Sequence, residues 1–234
     1  ESLTLLIGYN ARMAPGIAAF ALCLVLLPLR AVGIRIALYV AIFILIRDAM
    51  TPMGIWSFSG LRIGFYNDGA VLAVLGMASL VGVGFLYTVE REMRGLLVWR
   101  KGSLAAGATV GLGAGIALAL PGLVLSGFSP AFPNMPVGFV AGLLMLAFCG
   151  NLLEEVLFRG YLQGQLEAVV TPVRAALVSG VSFAACHSYL AITVTDAGWP
   201  IMAFTAAEGI ACGFIRKSFG VWAGALAHGT AIFL

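Results

Sequence analysis

Long apolar runs follow one another through the whole chain, and they constrain its fold more than any other feature. Of the 234 residues, 62% are hydrophobic and only 10% are charged, whereas a soluble domain carries about 25% charged residues. The runs do not alternate between apolar and polar residues, which favours membrane-spanning helices over the strands of a barrel. We therefore predict an all-α, polytopic membrane helical bundle.

The length of the chain sets the number of spans. At about 20–25 residues per span plus loops, it allows about eight transmembrane helices in one domain. We expect no cleavable signal peptide, because further spans follow the first apolar run directly. We treat 1–234 as a single membrane domain, with N-terminal spans in 1–135 and a motif-bearing core in 136–234. The expected spans are 14–29, 36–50, 70–89, 103–126, 137–169, 173–192, 199–215 and 219–234.

The segments between and within these spans carry further signals. Residues 51–69 mix polar residues with Trp56 and predict an interfacial loop or a short surface helix. Residues 90–101 predict a charged, helical connector. The fourth span contains four glycines, which predict close packing against another helix; they are Gly107, Gly111, Gly113 and Gly115. A phosphate-binding loop is excluded because no strand precedes these glycines and no lysine follows them.

Lys and Arg are distributed unevenly between the two sides of such a bundle. With eight spans, three basic residues fall on one side, namely Arg12, Arg47 and Arg62. The other side receives ten: Arg30, Arg35, Arg91, Arg94, Arg100, Lys101, Arg159, Arg174, Arg216 and Lys217. Because positive residues stay in the cytoplasm, we predict that this larger set is cytoplasmic and that both termini lie outside the cytoplasm.

The cysteines show no metal-binding or redox spacing. All four lie in apolar runs, so we predict that they pack as small buried hydrophobic residues; they are Cys23, Cys149, Cys186 and Cys212.

Three charges stand close together in the apolar fifth span. They are Glu154, Glu155 and Arg159, and each charge in hydrocarbon costs about 2.5–3.5 kcal/mol even on lenient scales. Glu155 and Arg159 are four residues apart in the favourable order for a helix ion pair, and arginine cannot lose its charge. Glu154 is rotated by about 100° from Glu155, so it need not join that pair.

The chain has two histidines, His187 and His228, and both lie in apolar spans. Sixteen residues separate the predicted turn at Thr171 from Glu155 on one side and from His187 on the other. Two antiparallel helices would therefore bring Glu154, Glu155 and His187 to one level, about 24 Å along the helix. A carboxylate beside a histidine in such a setting is suited to activating water as a general base, and His228 is suited to donating a hydrogen bond to an oxyanion.

These residues form motifs that resemble a known family. Glu154-Glu155-x-x-x-Arg159 continues as Gly-Tyr-Leu, the second motif is Phe183-x-x-x-His187, and the third begins at His228. They are similar to the motifs of the CAAX prenyl endopeptidase and bacteriocin-processing family, the type II CAAX-protease-like membrane proteins, over roughly residues 138–234. Where that family carries Asn or Asp four residues after the last histidine, this chain has Ile232.

The resemblance implies a metal-independent, glutamate-dependent intramembrane endopeptidase. Its substrate would be a membrane-anchored, lipidated or membrane-tail peptide, and its setting a lipid bilayer, the prokaryotic inner membrane. By this analogy Glu154 and His187 activate the water, Glu155 and Arg159 support the site, and His228 belongs to the oxyanion site. No cofactor and no nucleic acid are expected. Asn151, one turn before Glu154, is expected to supply an amide. Glu208 is a further acid in the apolar seventh span and is expected to make a structural hydrogen bond.

Other functions remain open on the sequence alone. A non-catalytic scaffold or immunity-type relative is favoured by Ile232 and opposed by the two intact motifs. A proton-coupled transporter would use the same acids and histidines, but matching interrupted helices in the two halves of the chain are missing. Zinc catalysis is disfavoured because HExxH is absent and the ligands would come from three helices.

Overall fold

The computed structural model of the protein describes residues 2–50, 57–59, 62–64, 68–125, 135–188 and 198–234. Its described part is almost entirely helical, as predicted. The main helices are α1 (Ser2–Leu26), α2 (Val32–Met50), α3 (Gly69–Val89), α4 (Leu104–Leu125), α5 (Val137–Leu166), α6 (Pro172–Ala185), α7 (Trp199–Phe219) and α8 (Val221–Phe233).

Several of these helices have the length and composition of membrane spans. Within the described ranges, α3, α4 and α5 are long and apolar enough to cross a membrane, and parts of α1, α2, α6 and α8 are shorter apolar helices. The chain is therefore a multi-pass membrane protein. Because α7 carries Glu208, Arg216 and Lys217 within its 21 residues, it is the least apolar of the eight, and the number of crossings stays a prediction.

A short hairpin interrupts the helical order between α2 and α3. Strand β1 (Ser57–Ser59) pairs antiparallel with β2 (Arg62–Gly64), and Ser57 lies opposite Gly64. The predicted surface helix is therefore wrong for these six residues. Residues 51–56, 60, 61 and 65–67 of the predicted loop, Trp56 among them, lie outside the described residues.

Two helix boundaries differ from the sequence prediction in ways that affect the site. Helix α6 ends at Ala185, seven residues before the predicted end at 192. His187 therefore lies in the turn that follows the helix, where its N–H donates to Ala184 O at 2.9 Å. Helix α7 runs to Phe219, and Gly220 breaks it from α8 with φ 94°, a backbone angle that glycine adopts without strain.

The close packing predicted for the glycines of α4 is present at three of the four, and it is made mainly with α8. A Cβ added to Gly111 would lie 2.7 Å from Ala223 O, and one added to Gly115 would lie 2.6 Å from Ala227 O. Gly113 differs, because a Cβ there would meet nothing within 4 Å. Three of the four glycines thus allow the close backbone approach that membrane helices use for association.

The connections between helices meet at one end of the bundle. The connector after α3 forms a 3₁₀ helix at Arg91–Leu96, in part as predicted, and then runs beside the α7–α8 junction. Val221 N donates to Val98 O at 2.9 Å, and Lys101 N donates to Phe219 O at 2.9 Å. Arg216 pairs with Glu167 at the same end. These contacts fix where α5, α7 and α8 begin or end relative to one another.

The cysteines follow their prediction only in part. Cys212 is buried, Cys149 and Cys186 are half-buried, and Cys23 is exposed on α1. The prediction of a buried side chain is therefore wrong for Cys23, because α1 turns that face away from its neighbour α2. None of these four cysteines forms a disulfide.

Candidate active site

Helix α5 departs from regular α-helix geometry on both sides of the acidic residues. Leu146–Gly150 and Val156–Leu162 are π-helical, and the short α-helical turn Asn151–Glu155 lies between them. A π-helical stretch widens the helix and is frequent at functional sites. Ser179 of α6 donates to Phe158 O at 2.8 Å, which gives one carbonyl of the second stretch a side-chain partner.

The predicted ion pair forms inside α5. Arg159 Nη1 lies 2.9 Å from Glu155 Oε1, and both side chains are completely buried. The guanidinium carbon of Arg159 also lies 4.2 Å from the ring centroid of Phe183, a cation–π distance that is favourable at a desolvated site. Arg159 is thus stabilised by one carboxylate and one aromatic face.

His228 of α8 reaches the same carboxylate. Its Nδ1 lies 3.0 Å from Glu155 Oε1, and because an ionised carboxylate only accepts hydrogen bonds, Nδ1 is the donor. The other ring nitrogen, Nε2, lies 3.7 Å from Glu208 Oε2 and 4.0 Å from Glu154 Oε2. Three carboxylates therefore surround one imidazole ring.

His187 approaches Glu154 from the turn after α6. Its Nδ1 lies 2.8 Å from Phe183 O, and since a carbonyl oxygen only accepts, Nδ1 carries a proton. Its Nε2 then faces Glu154 Oε2 at 4.0 Å. The predicted approach of His187 and Glu154 is present, although His187 comes from a turn and not from a continuous helix.

Glu154 belongs to the charged cluster and also lines a cavity. A cavity of about 1000 Å³ opens between α1, α2, α3 and α5, and Glu154 and Asn151 belong to its wall. Most of the other lining residues are apolar, Ile232 of α8 among them. Pockets of this size suit a small molecule or a peptide segment. Asn151 is buried, and its Nδ2 has no hydrogen-bond partner among the described residues; that it supplies an amide to the site stays a prediction.

The far end of the cavity holds a second buried ion pair that the sequence analysis missed. Arg35 Nε donates to Glu90 Oε2 at 2.8 Å, and Tyr39 OH donates to Glu90 as well. Arg35 Nη1 also donates to Leu24 O at 2.6 Å. Arg35 and Tyr39 line the cavity. The available signal was that Arg35 and Glu90 each stand at the boundary of an apolar run.

Phe183 also belongs to the site, although the sequence indicated it only as the first residue of the second motif. Its ring centroid lies 4.4 Å from that of His187 and 5.6 Å from that of His228. Together with the Arg159 contact, this makes one fully buried ring the common neighbour of both histidines and the arginine.

Among the residues that the structure describes, no group of three or more His, Cys, Asp or Glu side chains has the arrangement of a metal site. The two histidine Nε2 atoms lie 4.0 Å from Glu154 Oε2, which leaves room for a bridging water, since polar contacts beyond 3.5 Å are commonly water-mediated.

Comparison with known proteins confirms the family resemblance over the C-terminal part of the chain. Residues 136–234 match the model of the family described as type II CAAX prenyl endopeptidase Rce1-like. This match covers α5 to α8 and all of Glu154, Glu155, Arg159, His187 and His228. No curated protein and no solved structure matched the chain.

Proposed function

Because residues 136–234 match the Rce1-like family of type II CAAX prenyl endopeptidases, we propose that the protein is an intramembrane endopeptidase of the metal-independent glutamic type. The observation that carries this proposal is the position of Glu154. Its Oε2 lies 4.0 Å from the Nε2 atoms of both His187 and His228, and the same residue borders the apolar cavity.

Glu154 and His187 would activate the attacking water. A water between Glu154 Oε2 and His187 Nε2 would hydrogen-bond to both atoms, because Nδ1 of His187 holds the proton and leaves Nε2 as an acceptor. As the water oxygen attacks the scissile carbonyl carbon, one of its protons passes to this pair. The same proton then reaches the leaving amide nitrogen as the peptide bond breaks, which yields a carboxylic acid and an amine.

His228 would stabilise the oxyanion of the tetrahedral intermediate. Its Nδ1 is bound to Glu155, so a donor at Nε2 requires the doubly protonated ring. A positioned donor in a water-poor site lowers the barrier of acyl transfer, and loss of one such donor costs about 100- to 1000-fold in rate.

Glu155 and Arg159 would hold this ring in place without contacting the substrate. Glu155 Oε1 lies 2.9 Å from Arg159 Nη1 and 3.0 Å from His228 Nδ1. Arginine does not lose its charge in proteins, so Arg159 is a permanent cationic partner for the carboxylate that contacts His228. The apolar cavity beside Glu154 supports a substrate with a hydrophobic or lipidated segment, such as a membrane-anchored peptide.

A glutamine at position 154 tests the proposal. Proteoliposomes of wild type, Glu154→Gln and His187→Gln are incubated with a farnesylated CAAX peptide and with a peptide containing a membrane-tail segment, and products are identified by mass. Since proton transfer by a positioned side chain contributes about 10²–10⁴-fold, we expect both variants to lose at least about 100-fold in rate, and a zinc chelator to leave the wild-type rate unchanged.

Glu167→Gln is the matched control, because it also neutralises a carboxylate of α5 but at the pair with Arg216. Its glutamine oxygen still accepts from Arg216, so we expect the wild-type rate. Wild-type product formation by Glu154→Gln would overturn the proposal.

One observation favours a second function, a non-catalytic membrane scaffold. Ile232 places an apolar side chain in the cavity wall one turn after His228. If the scaffold function is correct, Glu154→Gln would retain the biological activity of the protein in cells while every candidate substrate remains uncut. An endopeptidase would lose that activity together with cleavage.

A further inference from the structure

Glu208 is a buried acid that the mechanism above does not use. It lies in the middle of α7 and is 1% exposed. Its Oε2 is 3.7 Å from His228 Nε2, and its Oε1 has no hydrogen-bond partner among the described residues. A buried carboxylate within a membrane span is costly, so its place beside the ring requires a physical reason.

Close helix contacts on both sides of α7 fix the position of Glu208. A Cβ added to the next residue, Gly209, would lie 2.7 Å from Gly180 O of α6, so the two backbones touch there. One turn further along α7, Cys212 Sγ donates to Gly224 O of α8 at 3.6 Å. Because Gly224 is also one turn before His228, the antiparallel register of α7 and α8 places Glu208 at the level of His228.

Glu208 is the carboxylate nearest to His228 Nε2. Glu155 already contacts Arg159 and the opposite ring nitrogen. Of the two carboxylates that face Nε2, Glu208 is the nearer at 3.7 Å, against 4.0 Å for Glu154. Helix α8 offers no polar group one turn after His228, because residue 232 is isoleucine.

We propose that Glu208 is a positioning residue, whose carboxylate is the counter-charge that stabilises the doubly protonated ring of His228 and holds it between the carboxylates of Glu155 and Glu208. A buried charge requires a partner of opposite sign, and a ring that donates from both nitrogens carries a full positive charge. The role of this ring as an oxyanion donor rests on the proposed function, whereas the contact between Glu208 and His228 does not.

The two histidines of the chain allow a direct test that needs no substrate. The protein is labelled with ¹⁵N-histidine, purified in detergent micelles, and its ring resonances are assigned with His187→Gln. We expect Glu208→Gln to move the Nε2 resonance of His228 while both resonances of His187 stay. Glu208→Asp, which keeps the charge, restores most of the wild-type position, and Glu167→Gln changes neither histidine.

Cleavage kinetics supply the second measurement. With whichever of the two peptides wild type cleaves, Glu208→Gln lowers kcat by about 10- to 100-fold, the range found when a partner that orients a functional histidine is removed. KM stays unchanged because Glu208 does not contact substrate. We expect Glu208→Asp, which keeps the charge, to recover most of kcat. If Glu208 acted only by packing, keeping the charge on a shorter side chain would not recover kcat.

The outcomes separate this inference from the proposed function. An unmoved His228 resonance in Glu208→Gln, or a kcat within about twofold of wild type, overturns the role of Glu208 even if Glu154→Gln is inactive. Full activity of Glu154→Gln overturns the endopeptidase instead, and the resonance of His228 still decides whether Glu208 holds the ring. Thermal unfolding of each variant in micelles identifies a change that reflects loss of folding.

Discussion

At the scale of single residues, the site depends on one aromatic ring as much as on its charges. Phe183 contacts Arg159, His187 and His228, and its backbone carbonyl binds His187 Nδ1. The ring face attracts the guanidinium, and its edge and face restrict both imidazoles. Phe183 therefore sets the orientation of groups that the sequence analysis treated as independent.

Replacing Phe183 by leucine tests this arrangement. We expect Phe183→Leu to reduce the free energy of unfolding by about 2 kcal/mol through loss of a desolvated cation–π contact. We also expect cleavage to fall, because both histidines lose their common neighbour. Thermal unfolding and peptide cleavage are measured on the same preparation.

Phe214→Leu is the control for that experiment, since Phe214 makes a cation–π contact with Lys217 away from the site. It should leave cleavage at the wild-type rate. Equal loss of cleavage in the two variants would show that the effect of Phe183→Leu is only a loss of stability.

At the scale of elements, the structure rests on helices that approach each other through glycine. Helix α4 meets α8 at Gly107, Gly111 and Gly115, while α6 meets α7 where Gly180 and Gly209 touch. The small residues of α4 already indicated close helix packing. The sequence did not show which helix it packs against, because any neighbour with small residues satisfies the same pattern.

Two glycines of α4 provide a matched pair for testing that face. In Gly111→Ala the new methyl group would meet Ala223 O at 2.7 Å, so we expect a loss of about 1–3 kcal/mol from overpacking. Gly113→Ala meets nothing within 4 Å and should stabilise the helix by about 0.5–1 kcal/mol. Thermal unfolding in micelles measures both, and a stabilising Gly111→Ala would contradict the packing described for α4 and α8.

At the scale of the whole molecule, the basic connections gather at one end of the bundle. Arg35 binds Glu90 next to the 3₁₀ helix, and Arg216 binds Glu167 and Leu96 O. This spatial grouping supports the predicted charge asymmetry, although Arg159 is a buried partner of Glu155 and so acts as a site residue more than as a topology signal. The orientation of the bundle in the membrane remains a prediction from the positive-inside rule.

Cysteine labelling in intact bacterial cells tests that orientation. In a background whose native cysteines are replaced, Glu92→Cys lies at the basic end and Val137→Cys lies at the start of α5, and both positions are exposed. If the basic end is cytoplasmic, a membrane-impermeant maleimide labels only Val137→Cys in intact cells and labels both after permeabilisation. Labelling of Glu92→Cys alone in intact cells would reverse the topology.

The sequence by itself determined the helical membrane class, most helix positions and the five candidate site residues. Each follows from a local cause: the length of an apolar run, the Thr171-Pro172 helix start, or the four-residue spacing of Glu155 and Arg159. The approach of Glu154 to His187 also followed, because the turn at Thr171 is 17 residues from Glu154 and 16 from His187, which brings the two residues to nearly one level.

Only the tertiary structure decided which groups complete the site. The π-helical stretches of α5 leave no periodicity signal, and the end of α6 before His187 depends on local backbone hydrogen bonds. The pairing of α7 with α8 brings Glu208 to His228, and the packing of α1 to α3 against α5 opens the cavity beside Glu154. The last two features are contacts between different helices, and no local pattern fixes the rotation and register of one apolar helix against another.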